Sequence, residues 1–326
     1  MALLDVQNLR TYFTTMSGKV KAVDGINFDV ELGKATGLAG ESGCGKTTAA
    51  LSILRILPPN GKIVGGKILF KNKDIVTLDD DEMREEIRWK EISIVFQGAM
   101  NALNPVYSVG NQIVEAIRLH EPEVDERQAW ERGEKLMELV GVEPSRLSGY
   151  PYEFSGGMRQ RSMIAMALAC HPSLLIADEP STALDVIVAA QVLKLMKELK
   201  TKLNLGMILI THDLSIIAEI CEKVAIMYAG KIVEYGDIVT VFKEPLHPYT
   251  RGLIGAFPDI TAERTRMISI PGYPPDLLNP PKGCRFHARC KYAMDLCQKE
   301  EPLFCELKKD QWVACHLYSE GKIQKH

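Results

Sequence analysis

The chain has 326 residues and carries 42 acidic against 39 basic side chains, giving a net charge of −3 and a pI near 6.2. That balance argues against a protein that clamps nucleic acid through its phosphates. The length allows a full core and more than one domain. No secretory leader is expected, because Met1 runs straight into the alternating segment Leu3 to Leu9. No apolar run approaches the roughly 20 residues of a membrane helix, so the chain is expected to be soluble by itself. Any membrane role would then need partner chains.

Short alternating segments at Leu3–Val6, Ala22–Val23 and Ile26–Val30 predict a small N-terminal antiparallel layer. Ala35–Ala39 reads as a buried strand, followed by a helix over Thr47–Leu57 that Pro58-Pro59-Asn60-Gly61 stops. Ile92–Phe96, Leu174–Ala177 and Met207–Ile210 are short apolar runs with polar ends. They are the expected central strands of a parallel sheet with active groups at their carboxyl ends. Between Ser108 and Gly149 the pattern is helical and polar, as in Glu126–Val140, which predicts an inserted helical subdomain at about 100–150. A last strand is expected at Lys231–Tyr235. Prolines then crowd residues 245–283 and predict an extended linker that wraps a surface. The nucleotide-binding motifs do not repeat, so a single core is expected.

Gly40–Thr47 reads GESGCGKT and fits G-x-x-x-x-G-K-[ST]. Glycines at 40, 43 and 45 let backbone N–H groups converge on phosphate, and the following helix adds its N-terminal dipole. The candidate nucleotide ligands are Gly40, Ser42, Gly43, Cys44, Gly45, Lys46, Thr47 and Thr48. Lys46 would bridge the β- and γ-phosphates, and the Thr47 hydroxyl would ligate Mg²⁺. Asp178 closes the run Leu174–Ala177 and can hold Mg²⁺ through water, while Glu179 can polarise the attacking water. The plain alternative is a pair of acids capping a helix start. Gln97, after Val95-Phe96, is a candidate Mg²⁺ or water ligand, although such a residue is more often just solvated. His212, after Ile208–Thr211, is placed to hydrogen-bond the γ-phosphate.

Ser155-Gly156-Gly157 precedes an expected helix over Met158–Cys170, and its open N–H groups form a second anion site. One phosphate chain cannot fill two such sites on opposite sides of one domain, so a head-to-tail dimer is expected, each copy completing the other's site. The alternative is an ordinary helix entry capped by Ser155.

In its order of motifs the chain resembles the ABC-type ATPases. The phosphate loop, Gln97, the signature Phe154–Met158, the acidic strand end Leu174–Glu179, the segment Ser181–Asp185 and His212 all fall in the family's sequence, across about the first 240 residues. The resemblance implies an α/β P-loop fold: a parallel central sheet, an N-terminal antiparallel β layer, a helical subdomain and, here, a C-terminal Cys-rich extension. Residues 1–240 would be the ATPase and 241–326 the extension. It also implies that Glu179, His212 and Gln97 serve hydrolysis, that Thr47, Gln97 and Asp178 attend Mg²⁺, that Asp185 contributes to nucleotide binding, and that an aromatic stacks on adenine. Phe13 fits that aromatic by spacing, with Tyr12 as the rival. The signature departs from the usual Leu and Gln at its ends, which are Phe154 and Met158 here.

Five of the eight cysteines crowd the C-terminus with spacing C-x5-C-x6-C-x7-C-x9-C from Cys284 to Cys315. In a reducing compartment this reads as thiolate metal binding before disulfides, without naming the metal. The stretches His247-Pro248-Tyr249-Thr250, Pro280 to Cys290 and Gln97 to Pro105 resemble the ATPases of oligopeptide, dipeptide and nickel importers. That resemblance implies a [4Fe-4S] cluster on Cys284, Cys290, Cys297 and Cys315. Cys305 is the odd thiol, a swap with Cys315 stays open, and zinc or free thiols are the competing readings. It further implies a motor at the cytoplasmic membrane face, using ATP and Mg²⁺. Its partners would be a sister ABC ATPase, two transmembrane permease subunits and an extracellular solute-binding protein, with no nucleic acid. The competing function is a soluble ABC ATPase acting on ribosomes or DNA.

Overall fold

A computed structural model describes residues 2–98, 102–256 and 270–318. Ala99, Met100 and Asn101 of the segment after Gln97, and Pro258 of the expected linker, lie outside the described residues.

Two long strands open the chain, β1 (Ala2–Thr15) and β2 (Gly18–Glu31), followed by the wholly buried β3 (Ala35–Ala39). Helix α1 covers Lys46–Leu54. It stops before the expected Leu57 because Arg55 turns left-handed and donates its N–H back to Leu51 and Ser52. β4 (Gly61–Phe70) and the two-residue β5 (Lys73–Asp74) follow. A capped single turn, α2 (Asp80–Glu82), leads through a π-turn over Met83–Ile87 to β6 (Ile92–Val95). The helical insertion holds α3 (Val109–His120) and α4 (Glu126–Leu139), capped by Ser108 and by a reciprocal Asp125–Gln128 box. Then come α5 (Gly156–Ala167), β7 (Leu174–Asp178), α6 (Val186–Lys202), β8 (Gly206–Ile210) and α7 (Leu214–Ile220). The C-terminal third runs β9 (Lys223–Tyr228), β10 (Lys231–Asp237), α8 (Ile238–Lys243), α9 (Pro248–Gly255), α10 (Asp295–Lys299), β11 (Phe304–Lys308) and β12 (Gln311–Ala314).

These elements sort into two compact units. The first comprises Met1–Leu3, Val30–Ala35 and Asp74–Ile210. Its strands run parallel in the order β6-β7-β8, in register Val95 to Ala177 and Asp178 to Ile210. All five residues of β7 and of β8 are buried, as expected of strands covered on both faces. The insertion is tied to α5 by Arg161, whose guanidinium donates to the Val140 carbonyl at 2.9 Å.

The second unit comprises Leu4–Asp29, Thr36–Lys73 and Thr211–His326. β1 and β4 pair antiparallel within the N-terminal layer, ordered β2-β1-β4-β5. The sequence pattern hid β4, because Lys62, Gly65, Gly66 and Lys67 dilute its alternation. A second run is ordered β11-β12-β10-β9-β3, with β3 and β9 parallel and the rest antiparallel. β9 and β10 join through Ala229 and Gly230, both at positive φ as a tight hairpin demands.

The expectation for the chain after Gly230 needs correction. Beyond the prolines, β11 and β12 extend the sheet that β10 begins, and Glu234 lies at the junction. Its buried carboxylate accepts from the N–H groups of Leu246 and His247, each at 2.9 Å, and from the Gln311 amide at 3.0 Å. Burial pushes Glu234 above the usual carboxylate range. Leu246, Val313 and Tyr318 pack beside it as a small apolar cluster.

Candidate nucleotide site

The phosphate loop leaves β3 at Gly40, whose φ of 147° favours glycine and whose Cβ, if added, would stand 2.1 Å from the Met227 carbonyl oxygen. Lys46 is buried and reaches back across the loop, donating to the carbonyls of Gly40 (2.8 Å) and Glu41 (3.0 Å). Cys44 is also buried. Its N–H donates to the Glu41 carbonyl at 3.3 Å, and burial raises its thiol pKa. Ser42, Gly43 and Thr47 are exposed, and Gly45 and Thr48 half-buried. The loop thus offers an accessible rim on a tightly held base, the arrangement that backbone N–H recognition of phosphate requires.

Phe13 and Tyr12, the two β1 aromatics singled out as candidates for a base stack, differ in their surroundings. The Tyr12 hydroxyl donates to Asp24 at 2.7 Å, and burial together with that bond pushes its pKa up to about 12. Phe13 lies across the ladder from Gly61 with its ring against that glycine, half-buried. His212 is exposed just ahead of α7, which Asp213 caps through the Ser215 N–H at 2.8 Å.

In the first unit the strand ends bring Gln97, Asp178 and Glu179 together. Asp178 is 1% exposed at the end of β7. Glu179 follows in a left-handed conformation at φ 46°, its N–H donating to the Ile210 carbonyl at 2.8 Å. Such backbone costs on the order of 1–2 kcal/mol for a non-glycine residue and concentrates at functional sites. The Glu179 carboxylate receives the Gln97 amide at 3.0 Å and the Thr182 hydroxyl at 3.0 Å. Gln97 is therefore engaged rather than only solvated. Thr182 was not singled out by sequence; it belongs to the segment between Glu179 and Asp185 and could have been flagged only there.

Ser155 caps α5, its hydroxyl accepting from the Met158 N–H at 3.3 Å, so the capping alternative holds as geometry. The helix begins two residues earlier than expected, at Gly156, and ends at Ala167. Ser155 is exposed, Gly156 and Gly157 are half-buried, and Phe154 is buried, which accounts for an aromatic at the first signature position. A Cβ at Gly157 would stand 2.5 Å from Val188 Cγ1, so only glycine allows that approach. Asp185 caps α6 through the Val188 N–H at 2.9 Å.

Two profiles match this chain: "ABC transporter" over residues 23–182 and "Oligopeptide/dipeptide transporter, C-terminal region" over residues 233–297. The dipeptide transport ATP-binding protein DppD of Caldanaerobacter subterraneus subsp. tengcongensis is 43% identical over 324 residues, covering 99% of each chain. The chain belongs to the ABC transporter ATP-binding proteins of the oligopeptide/dipeptide group. It is an ATPase of that fold. The oligopeptide transport ATP-binding protein OppD of Escherichia coli is 46% identical over 304 residues, 93% of this chain and 89% of that one. Among solved structures, cbiO1 from Clostridium perfringens, part of the ABC transporter complex cbiONQ, superposes with TM-score 0.63 at 29% identity, over 74% of this chain and 91% of that one. The ATP-binding cassette MJ0796, in a dimeric post-hydrolysis state with ADP and Pi, shares the fold at TM-score 0.64 and 24% identity, over 72% of this chain and 98% of that one. Among the described residues of this ABC ATPase, no helix is long and apolar enough to cross a membrane.

The tail thiols sort by environment. Cys284, Cys290 and Cys315 are all pushed up by burial, Cys284 to about 11 and Cys315 to about 12, and Cys315 also feels the charge of Cys284, Cys290 and Cys297. The Cys284 N–H donates to the Cys297 carbonyl at 2.8 Å. Cys305 sits instead in β11 with its thiol toward the Val313 carbonyl at 3.8 Å. Four thiols are the right donors for an iron–sulfur cluster. Among the described residues, however, three or more ligating side chains do not gather as a single metal ion would need, so the metal centre expected from sequence is not established.

Proposed function

We propose that this chain is the ATP-hydrolysing motor subunit of a dipeptide or oligopeptide importer, with residues 1–240 as the motor and 241–326 as an extension. The observation that carries the reading is the likeness to peptide-transport ATP-binding proteins along nearly the whole length, including the C-terminal region. Lys46 neutralises the β- and γ-phosphates, the Thr47 hydroxyl and Asp178 attend Mg²⁺, and Glu179 orients and polarises the attacking water. Gln97 and Thr182 aim the Glu179 carboxylate. His212 contacts the γ-phosphate, and Phe13, with its neighbour Tyr12 committed to Asp24, stacks on adenine. Ser155, Gly156, Gly157 and Asp185 serve the ATP of the partner copy, which we take to be a sister ABC ATPase. Two permease subunits and an external solute-binding protein complete the assembly, with this chain at the cytoplasmic face.

The test is reconstitution of the chain with its sister ATPase, permeases and binding protein in liposomes. Labelled dipeptide or tetrapeptide should enter only with ATP, and Glu179→Gln should abolish uptake. Co-purification with ribosomes or DNA instead of permeases would overturn the reading.

For the tail we assign Cys284, Cys290, Cys297 and Cys315 to a [4Fe-4S] cluster. In such a cluster each thiolate meets a different iron, so the sulfurs surround a volume rather than one ion. The influence of Cys284, Cys290 and Cys297 on Cys315, together with the Cys284 N–H bond to the Cys297 carbonyl and the Cys305 thiol lying toward Val313, supports the choice. When bound, the cluster supplies a covalent tie between the tail loops. Anaerobically purified protein should be brown with about four irons per chain; colourless protein holding zinc or no metal would end this assignment.

A further inference from the structure

Glu41, inside the phosphate loop, is gripped from the C-terminal extension. Its N–H donates to the Tyr249 hydroxyl at 3.0 Å. Its carboxylate takes both terminal nitrogens of Arg289, at 2.7 and 2.9 Å. Its carbonyl receives Lys46. Every polar group of this one residue is therefore held, and two of its partners, Tyr249 and Arg289, lie more than 200 positions along the chain.

The grip is rigid rather than a loose surface pair. Arg289 is 9% exposed and also donates to the Pro271 carbonyl at 2.8 Å and the Tyr228 hydroxyl at 3.3 Å. Tyr249 is fully buried, its ring 4.7 Å from that of Tyr228 and 5.4 Å from that of Phe286. His247, buried and capping α9, accepts the Tyr249 N–H at 3.0 Å and so fixes the start of that helix. The second arginine of the same segment, Arg285, forms an ion pair with Asp24 and donates to the Ala229 carbonyl.

The consequence concerns the 40–41 peptide. A phosphate loop works by presenting backbone donors already fixed in place, so mobility of its first corner weakens binding. This peptide has its N–H committed to Tyr249 and its carbonyl, that of Gly40, to Lys46, so it cannot turn without breaking its contact to the extension. A bidentate arginine fixes orientation as well as charge.

We propose that Arg289 and Tyr249 are positioning residues for ATP: through Glu41 the extension sets the shape of the phosphate loop, and nucleotide affinity depends on it. The proposal rests on the reading that this loop binds ATP. The experiment measures Mg²⁺-dependent binding of a fluorescent methylanthraniloyl-ATP to the full chain, with melting temperature read alongside. Arg289→Gln and Glu41→Gln should each raise Kd roughly tenfold, and the double variant should be no worse than either alone. Tyr249→Phe, which keeps the ring and deletes one oxygen, should raise Kd about threefold in a protein that remains folded. A purely structural latch would lower the melting temperature and leave Kd unchanged; that result in folded Tyr249→Phe and Arg289→Gln overturns the proposal. Lys46→Ala separates the two readings. If it loses the nucleotide while the extension variants bind normally, only this proposal fails. If it binds as tightly as the parent, the ATP reading of the loop fails as well.

Discussion

Two glutamates, one in each unit, are held in opposite ways. Glu179, at the end of β7, is gripped by an amide and a hydroxyl in a left-handed backbone conformation. Glu41, in the phosphate loop, is gripped by a guanidinium fork. Neutral donors orient a carboxylate without cancelling its charge, which suits a group that must polarise water. A cationic fork neutralises as well as orients, which suits a group whose task is to stay still. Under the proposed function the same side chain would serve chemistry in one place and architecture in the other, with the neighbours deciding which.

A large effect away from Glu179 itself tests whether its chemistry needs a second copy. Ser155→Arg places a bulky cation at the start of α5, and ATPase activity of the assembled complex should fall about a hundredfold. Loss of the cap itself accounts for only about 0.5–2 kcal/mol of stability, so a melting curve separates the two causes. Full activity would remove the sandwich from the account.

A smaller effect is expected at Gln97. Gln97→Ala deletes a neutral donor to Glu179, and kcat should drop about tenfold with KM nearly unchanged, as for an aim lost rather than a binding contact. An effect confined to KM would mean that Gln97 serves binding instead.

The extension can be probed by pH. Burial lowers the pKa of His247 from its ordinary 6.5 to about 3. The folded chain therefore holds this ring neutral while the unfolded chain protonates it. The stability it protects is complete above about pH 6.5 and is lost as pH falls toward 3, at up to about 1.4 kcal/mol per pH unit. Glu234, raised by burial, acts in the opposite sense. His247→Asn keeps an acceptor for the Tyr249 N–H, so melting curves from pH 7 to 4 should flatten in this variant relative to the parent. Parallel curves would place the titration elsewhere.

The smallest effect concerns adenine. Phe13→Ala should raise KM for ATP about threefold, whereas Tyr12→Phe should leave it unchanged and cost only stability through Asp24. The reverse outcome would assign the stack to Tyr12.

Much of the first unit was legible because continuous apolar runs with polar ends announce buried parallel strands: β6, β7 and β8 lie within a residue or so of their expected bounds. The phosphate loop was legible for a different reason, since glycine spacing encodes backbone geometry directly. The left-handed turn at Glu179 was not, because nothing in Asp178-Glu179-Pro180 marks a positive φ. β11 and β12 were missed because they are short and lie among the crowded cysteines, which read as a metal-binding tail rather than as strands. The Glu41 latch was invisible for a physical reason: its partners are 208 and 248 positions away, and local pattern carries no record of such pairs. Tyr249 and Arg289 both stood in stretches singled out for other reasons.

The central claim is that the two glutamates divide the work, and steady-state kinetics of the assembled complex test it most directly. Glu179→Gln should lower kcat by about a thousandfold while nucleotide binding persists. Glu41→Gln should raise KM for ATP about tenfold with kcat largely kept. A collapse of kcat in both variants, or an unchanged KM in Glu41→Gln, would contradict the division.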